Sequence, residues 1–310
     1  MRPTLPHLLA LGRNGSRRPS SIRAHARFRG HARFRGHVRF RGLSPLRVLA
    51  IAVAGCVGAL ASAPRLARAQ GTHGTQGTQG AHGTRGAPPA GPVKRVSLAR
   101  EVVGKEPVSF IPMVGNWVVA SDEGQKVILV DGRAWKKGQP AGGLADKARA
   151  IYGARHEEFI DNVKAFAYFP IAVAKDIPDF TAGEISLRFK MIAGTLDRCA
   201  GILFDVKPNG DYLAVRFNGT EDNVVLWTFN EGKRAFVKRG TESFPLELGT
   251  WHELKAVVRG TDFTAYLDGK LVLEQALKAP VSGKVGLWSK TDSMSEFADF
   301  TVTPAATVKP

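Results

Sequence analysis

The sequence predicts an all-β fold: a two-sheet antiparallel jelly-roll sandwich with a short helical insertion near residues 143–164. Three observations carry this expectation. GEISLRFKMI (183–192) and DYLAVRFN (211–218) alternate apolar and polar residues with the period of two of a strand that buries one face. Asn209-Gly210 and Asp268-Gly269 are pairs suited to tight hairpin turns. Helical patterning is confined to GLADKARAIYGARHEEFIDNVK, so there is no alternation of strand and helix that would build a parallel sheet.

Along the chain, residues 1–47 form a basic leader, and 25–42 within it are three hexamers, HARFRG, HARFRG and HVRFRG. Of the 44 Lys and Arg, fourteen Arg lie in residues 1–69, where there is no acid; the remaining thirty face all 27 acidic residues. The formal charge of +17 therefore belongs to the leader, and the rest of the chain lacks the basic footprint of a nucleic-acid binder. The expectation is no nucleic-acid partner. The repeats read either as an arginine-rich arm or as translated sequence upstream of a mis-called start, with Val38 as an alternative start.

Residues 48–69 supply the apolar and cleavage regions of an export signal. VLAIAVAGCVGALASA (48–63) is apolar, is preceded by Arg39, Arg41 and Arg47, and is followed by Ala67-Arg68-Ala69. At sixteen residues it is short for a span of about 20. Val53-Ala54-Gly55-Cys56 offers a competing reading, lipidation at Cys56. Membrane attachment is expected only through a retained anchor or that lipid, and the protein is expected in the periplasm or outside the cell. Residues 70–92, rich in Gly, Thr and Gln, read as a flexible linker.

Residues 93–310 read as the jelly-roll domain. Further strands are expected at 117–121, 126–130, 199–206, 223–229, 234–238, 252–259, 262–267, 270–274, 284–289 and 297–303. In the insertion, Leu144, Ala148 and Ile151, then Phe159 and Val163, fall at helical spacing with a break at Gly153; this stripe is expected at a sandwich edge or mouth. Trp117, Trp251 and Trp288 read as core. Without Cys56, Cys199 is the lone thiol and reads as a small buried side chain.

At this level the residues carry a resemblance. WHELKAVVRGTDFTAYLDGKL (251–271) and GKVGLWSKTDSMSEFADFTV (283–302) resemble laminin-G-like domains. DYLAVRFNGTEDNVVLWTFNEGKR (211–234) resembles an exported bacterial group of the concanavalin A-like lectin/glucanase superfamily, which includes the 3-keto-disaccharide hydrolase domain. The resemblance implies a two-sheet jelly roll whose concave face binds glycans. The Glu-x-Asp-x-x-Glu strand of family 16 glucanases is absent. Glu157, Glu158 and Asp161 fall on the helical segment, and Glu296 with Asp299 lacks a third carboxylate.

The candidate carbohydrate-binding residues are Arg188, Arg216, Asn218, Asn223 and Trp227, all expected to face away from the core. There Trp227 would stack on a sugar beside Arg and Asn donors. Lys233 and Arg234 read as a solvated hairpin end, or alternatively as cations that reach an anionic or hydroxylated ligand, and Asp205, Asn209 and Asp211 as a plain hairpin rather than a calcium loop. His156 reads as part of an exposed helix face and His252 as structural. No metal or cofactor is expected. The leading function is non-catalytic glycan binding. The alternatives are a glycoside hydrolase using carboxylates such as Asp205 or Glu221, and an envelope protein that makes only protein contacts.

Overall fold

The computed structural model describes residues 91–306. The leader repeats, the apolar run with Cys56 and the linker lie outside these residues. Among the described residues no helix is long and apolar enough to cross a membrane.

The chain begins with β1 (Lys94–Arg95), β2 (Phe110–Val114), β3 (Asn116–Asp122) and β4 (Gln125–Asp131). Three short helices follow, α1 (Leu144–Tyr152), α2 (His156–Asp161) and α3 (Val163–Phe166). Then come β5 (Ile171–Ala174), β6 (Gly183–Ala193), β7 (Cys199–Val206), β8 (Tyr212–Asn218) and β9 (Asn223–Asn230). The last are β10 (Lys233–Arg239), β11 (Trp251–Arg259), β12 (Asp262–Leu267), β13 (Lys270–Ala276), β14 (Lys284–Trp288) and β15 (Met294–Pro304).

These strands form the expected two-sheet antiparallel sandwich. One sheet has the order β13-β12-β11-β6-β15-β4-β3, with β1 added along β15; the other runs β10-β9-β8-β7-β14-β5-β2. Between the sheets the alternating faces meet. Ile185, Leu187, Phe189 and Met191 of β6 face Val215 and Phe217 of β8 in one buried cluster, and the Phe189 and Phe217 rings stack at 5.9 Å. Phe204 and Phe263 make a second inter-sheet stack at 5.4 Å.

The helical insertion is not at an edge or mouth. It lies on the outer face of the seven-stranded sheet and builds a second core there. Ala148, Ile151, Phe159 and Phe166 pack with Leu203, Tyr212, Phe229 and Trp288. The reason is visible on the sheet: Tyr212 and Phe229 stand opposite each other in the β8–β9 register, point outward, and stack at 4.3 Å. Such a pair of rings is too much apolar surface to leave in water. Gly153 ends α1 with φ 56°, as its place in the pattern predicts.

The same cover explains the strands that patterning misses. β2 (FIPMV) and β5 (IAVA) do not alternate, because this sheet is buried on both faces; β5 is buried at every residue. The turns also differ in part. Asp268 and Gly269 both have positive φ, as a two-residue type I′ hairpin requires, and so do Glu231 and Gly232 between the paired Asn230 and Lys233. Asn209 does not share the positive φ of Gly210. Gly210 N–H donates to Lys207 O and Lys207 N–H to Asp211 O, so this loop is a tight turn through Pro208 closed by a left-handed glycine. Trp251 is corrected as well. It stands half-buried on the outside of the eight-stranded sheet, donates to Asp122 Oδ2 at 3.0 Å, and lies under Arg188 and Lys190.

Asp292 anchors the loop that leads into β7. Its carboxylate accepts backbone N–H from Thr195 at 2.8 Å, Leu196 at 3.0 Å and Asp197 at 3.0 Å. Burial works to raise its pKa, but the N–H groups of Leu196, Thr195 and Asp197 outweigh burial and hold it lowered. A carboxyl whose folded pKa is depressed contributes stability above its unfolded value, about 3.9 for Asp, and loses it as pH falls through the folded value. Asp292→Ala is expected to cost about 1 kcal/mol at neutral pH, the low end for a partly solvated acceptor. The cost should shrink below about pH 3.9 in denaturant titrations run across pH. A cost that stays constant down to acid pH would mean the ionised form is not what the loop holds.

Candidate functional site

The outer face of the seven-stranded sheet carries the candidate residues, and the structure divides them. Cross-strand register puts Asn223 opposite Asn218, Val225 opposite Arg216, and Trp227 opposite Ala214, so Arg216, Asn218, Asn223 and Trp227 share the outer face as their alternation predicts. Arg188 does not join them. It is on β6 in the other sheet, paired with Asp299 at 3.4 Å and stacked over Trp251. Outward parity is the same for both sheets of a sandwich, and only strand order tells the two outsides apart.

Three of the four remaining residues are consumed internally. Arg216 is 1% exposed. Its Nη1 donates to Asn223 O at 3.0 Å and Asn223 Oδ1 at 2.5 Å, and its Nη2 to Glu221 Oε2 at 2.8 Å. Asn218 Nδ2 donates to Asp197 Oδ1 at 2.9 Å, and its Oδ1 accepts from Arg198 N, Thr220 N and Thr220 Oγ1. These side chains tie the β8–β9 turn to the loop before β7; Arg216 Nε has no partner among the described residues, but it is buried and out of a ligand's reach. Arg216 has space for its stem because Gly201 stands opposite it, where a Cβ would lie 2.9 Å from Arg216 Cβ.

Trp227 surfaces. It is half-buried, and Phe236, its register partner on β10, is 53% exposed with its ring edge-on at 5.7 Å. Arg234 lies with its guanidinium 4.5 Å from the Trp227 ring centroid, 5.5 Å from Phe169 and 5.8 Å from Tyr168. Lys137, from the segment before α1, sits 4.0 Å over the Tyr168 ring. The result is an aromatic shelf topped by cations, at the margin where the helical cover stops. Phe236 also lines a groove of about 410 Å³ that opens toward Asp205, Leu213 and the segment Ala276–Ala279.

Arg234 is exposed, as a hairpin end would be, and it is also stacked against three rings. The signal was the Glu231-Gly232 pair: a type I′ turn there sets Trp227 opposite Phe236 and turns Arg234 to the same side. Tyr168 and Lys137 lie some sixty to ninety residues upstream of Trp227 and carried no such signal.

The carboxylates weighed for hydrolysis do not converge. Asp205 flanks the Tyr212 end of β8, while Glu221 follows its Asn218 end. Seven residues of strand separate them by about 20 Å, against the roughly 5–10 Å that a glycosidase pair needs. Asp205 has its pKa raised by burial, but it accepts Ser282 N–H at 2.7 Å. Burial also works to raise Glu221, yet Arg216 and Asn223 hold its pKa lowered, which keeps it ionised and unfit to donate a proton. Asp197 and Glu221 approach each other through Lys290, at 2.8 and 3.9 Å, and Asp197 is further bound by Asn218 and Thr291. Cys199 is fully buried and its thiol is pushed up to about 12 by that burial, so it is no nucleophile. Among the described residues no three His, Cys, Asp or Glu side chains gather as a metal site would need. His252 is held by Asp268 at 2.7 Å.

No family model matches the chain, and no curated protein matches it. Among solved structures it is similar to the carbohydrate-binding module CBM66 from Bacillus subtilis, with 13% identity and a TM-score of 0.44, covering 65% of this chain and 99% of that one. It is also similar to a Bacillus subtilis protein of unknown function with a galectin-like fold, with 12% identity and a TM-score of 0.41 over 63% of this chain and 89% of that one. A third is the Bacillus licheniformis β-glucanase, with 10% identity and a TM-score of 0.39 over 66% of this chain and 97% of that one. Likenesses this loose carry no substrate or activity across.

Proposed function

We propose that this is an exported, non-catalytic carbohydrate-binding protein whose ligand lies on the outer face of the seven-stranded sheet. The observation that carries the reading is the Trp227–Phe236 shelf with Arg234 above it. The indole is partly exposed and shares a face with Arg234, so a pyranose would stack on the part of the ring the guanidinium leaves open, with Arg234, and Lys137 over Tyr168, to meet its hydroxyls. The export half of the reading rests on the leader's signal-like order of basic, apolar and small residues. The finer likeness of residues 211–234 to the 3-keto-disaccharide hydrolase group covers β8, β9 and their hairpin to β10. It supports a sugar ligand on that hairpin and does not require turnover.

A glycan array probed with the purified protein, repeated with Trp227→Ala, tests this. The substitution is expected to weaken binding by at least about 1 kcal/mol, roughly fivefold, with the thermal midpoint nearly unchanged because Trp227 is only half-buried. Hits that survive Trp227→Ala would move the site elsewhere. A blank array together with a stable protein partner in pull-downs would favour a protein-contact role.

A further inference from the structure

Granting the carbohydrate reading, we infer that the shelf selects an anionic glycan, one whose sugar rings carry carboxylates, with Arg234 as the carboxylate-binding residue. The motivating observation is charge without counter-charge. β10 reads KRAFVKR, four cations and no acid. Its register turns Arg234, Phe236 and Arg239 to the face that bears Phe229, Trp227 and Val225. Among the described residues, none of Lys137, Arg234 and Arg239 makes an ion pair. Glu231, the acid nearest β10 in sequence, makes none either.

The opposite face of the sandwich shows the contrast. There Arg95 and Arg188 share Asp299, and Lys190 is held by Asp122 and Glu296. Of the cations stacked on rings on that side, Arg188 and Lys190 have carboxylate partners and Lys255 over Tyr266 has none among the described residues; on the shelf neither Arg234 nor Lys137 has one. Aromatic stacking orients them without using their hydrogen-bond donors.

The geometry matches a uronate. A guanidinium close over an indole face keeps its planar N–H fork free at its edge, and that fork takes a carboxylate through two parallel hydrogen bonds. A pyranose resting on the Trp227–Phe236 shelf would point a ring carboxylate at such a fork. Lys137, 4.0 Å over Tyr168, adds a point charge that a neighbouring residue of the same polymer can meet. Net positive charge alone would also attract nucleic acid, so the ring of the sugar and its carboxylate must be tested apart from charge.

The test uses the purified protein and titration calorimetry with three probes. These are oligogalacturonate, its fully methyl-esterified form with the same rings and no charge, and an oligothymidylate of matched charge. A uronate panel containing glucuronate and mannuronate oligomers accompanies the first. Tight binding of at least one uronate is expected. Its uncharged ester should bind about tenfold to a hundredfold more weakly, the span of one lost charge-assisted bidentate contact. Arg234→Gln should bring the acid down to the level of the ester and weaken the ester itself far less, by about twofold at most, since it loses a hydroxyl contact and no charge-assisted pair. Trp227→Ala should weaken both. Arg234 is exposed, so the variant's thermal midpoint should match the parent's and exclude misfolding.

Equal affinity for acid and ester overturns the anionic assignment, as does a uronate affinity indifferent to Arg234→Gln. Oligothymidylate binding as tightly as any uronate overturns it in favour of a general polyanion surface. If no uronate binds but a neutral glycan does so in a Trp227-dependent manner, this inference falls and the proposed function stands. If neither class binds, both fall.

Discussion

Phe229→Ala is expected to destabilise the protein by about 3–5 kcal/mol, the range for removing a buried phenyl ring. Phe229 is fully buried. Its ring stacks on Tyr212 at 4.3 Å and meets Tyr168, Phe169 and Trp288 at 5.6, 6.1 and 6.4 Å. It therefore joins the sheet to the helical cover, and the space left behind cannot collapse without moving several rings. For a domain of this size the thermal midpoint should fall by roughly 10 °C, followed by circular dichroism at the strand and helix signals. Binding at the shelf should weaken too, since Tyr168 and Phe169 lie under Arg234. A loss below about 1 kcal/mol would mean that the insertion packs on the sheet far more loosely than the rings indicate.

Arg216→Ala should be nearly as damaging, by about 3 kcal/mol. Breaking a buried ion pair from one side costs roughly 3–5 kcal/mol, and the lower end applies because the Glu221 side chain is 37% exposed and can be rehydrated. The loss has two parts: Asn223 O and Oδ1 lose their donor, and the space beside Gly201 is emptied. Chemical denaturation should show the drop in midpoint with little change in slope. The informative companion is Arg216→Lys. Where it folds, its glycan affinity should stay within about twofold of the parent, a difference under roughly 0.5 kcal/mol, because the guanidinium is sealed from solvent. A large affinity loss in a well-folded Arg216→Lys protein would return Arg216 to the ligand face that its alternation first suggested.

These two residues mark where alternation stops being informative. Outward parity was correct for Arg216, Asn218, Asn223 and Trp227, yet it cannot say whether the outside of a sheet is wet. Arg216 is sealed by its own hydrogen-bonded turn, and Tyr212 and Phe229 by the helices, while Trp227 two residues from Phe229 reaches the surface. Arg188 shows the complementary failure, with correct parity on the wrong sheet.

What the chain determined locally is its two-layer β architecture. Period-two patterning places most of the strands within three residues of their observed bounds, and the Asp268-Gly269 hairpin and the Gly153 break follow from single-residue conformational preferences. Such features depend on neighbours a few residues away, so one sequence carries them. Tertiary structure alone decided that the insertion covers the outer face, that β2 and β5 are buried on both sides, and that Lys137 and Tyr168 meet Arg234 and Trp227. Those outcomes depend on which apolar surfaces lack a partner after the sheets have paired. That is a global balance of burial, and residues distant in sequence settle it together.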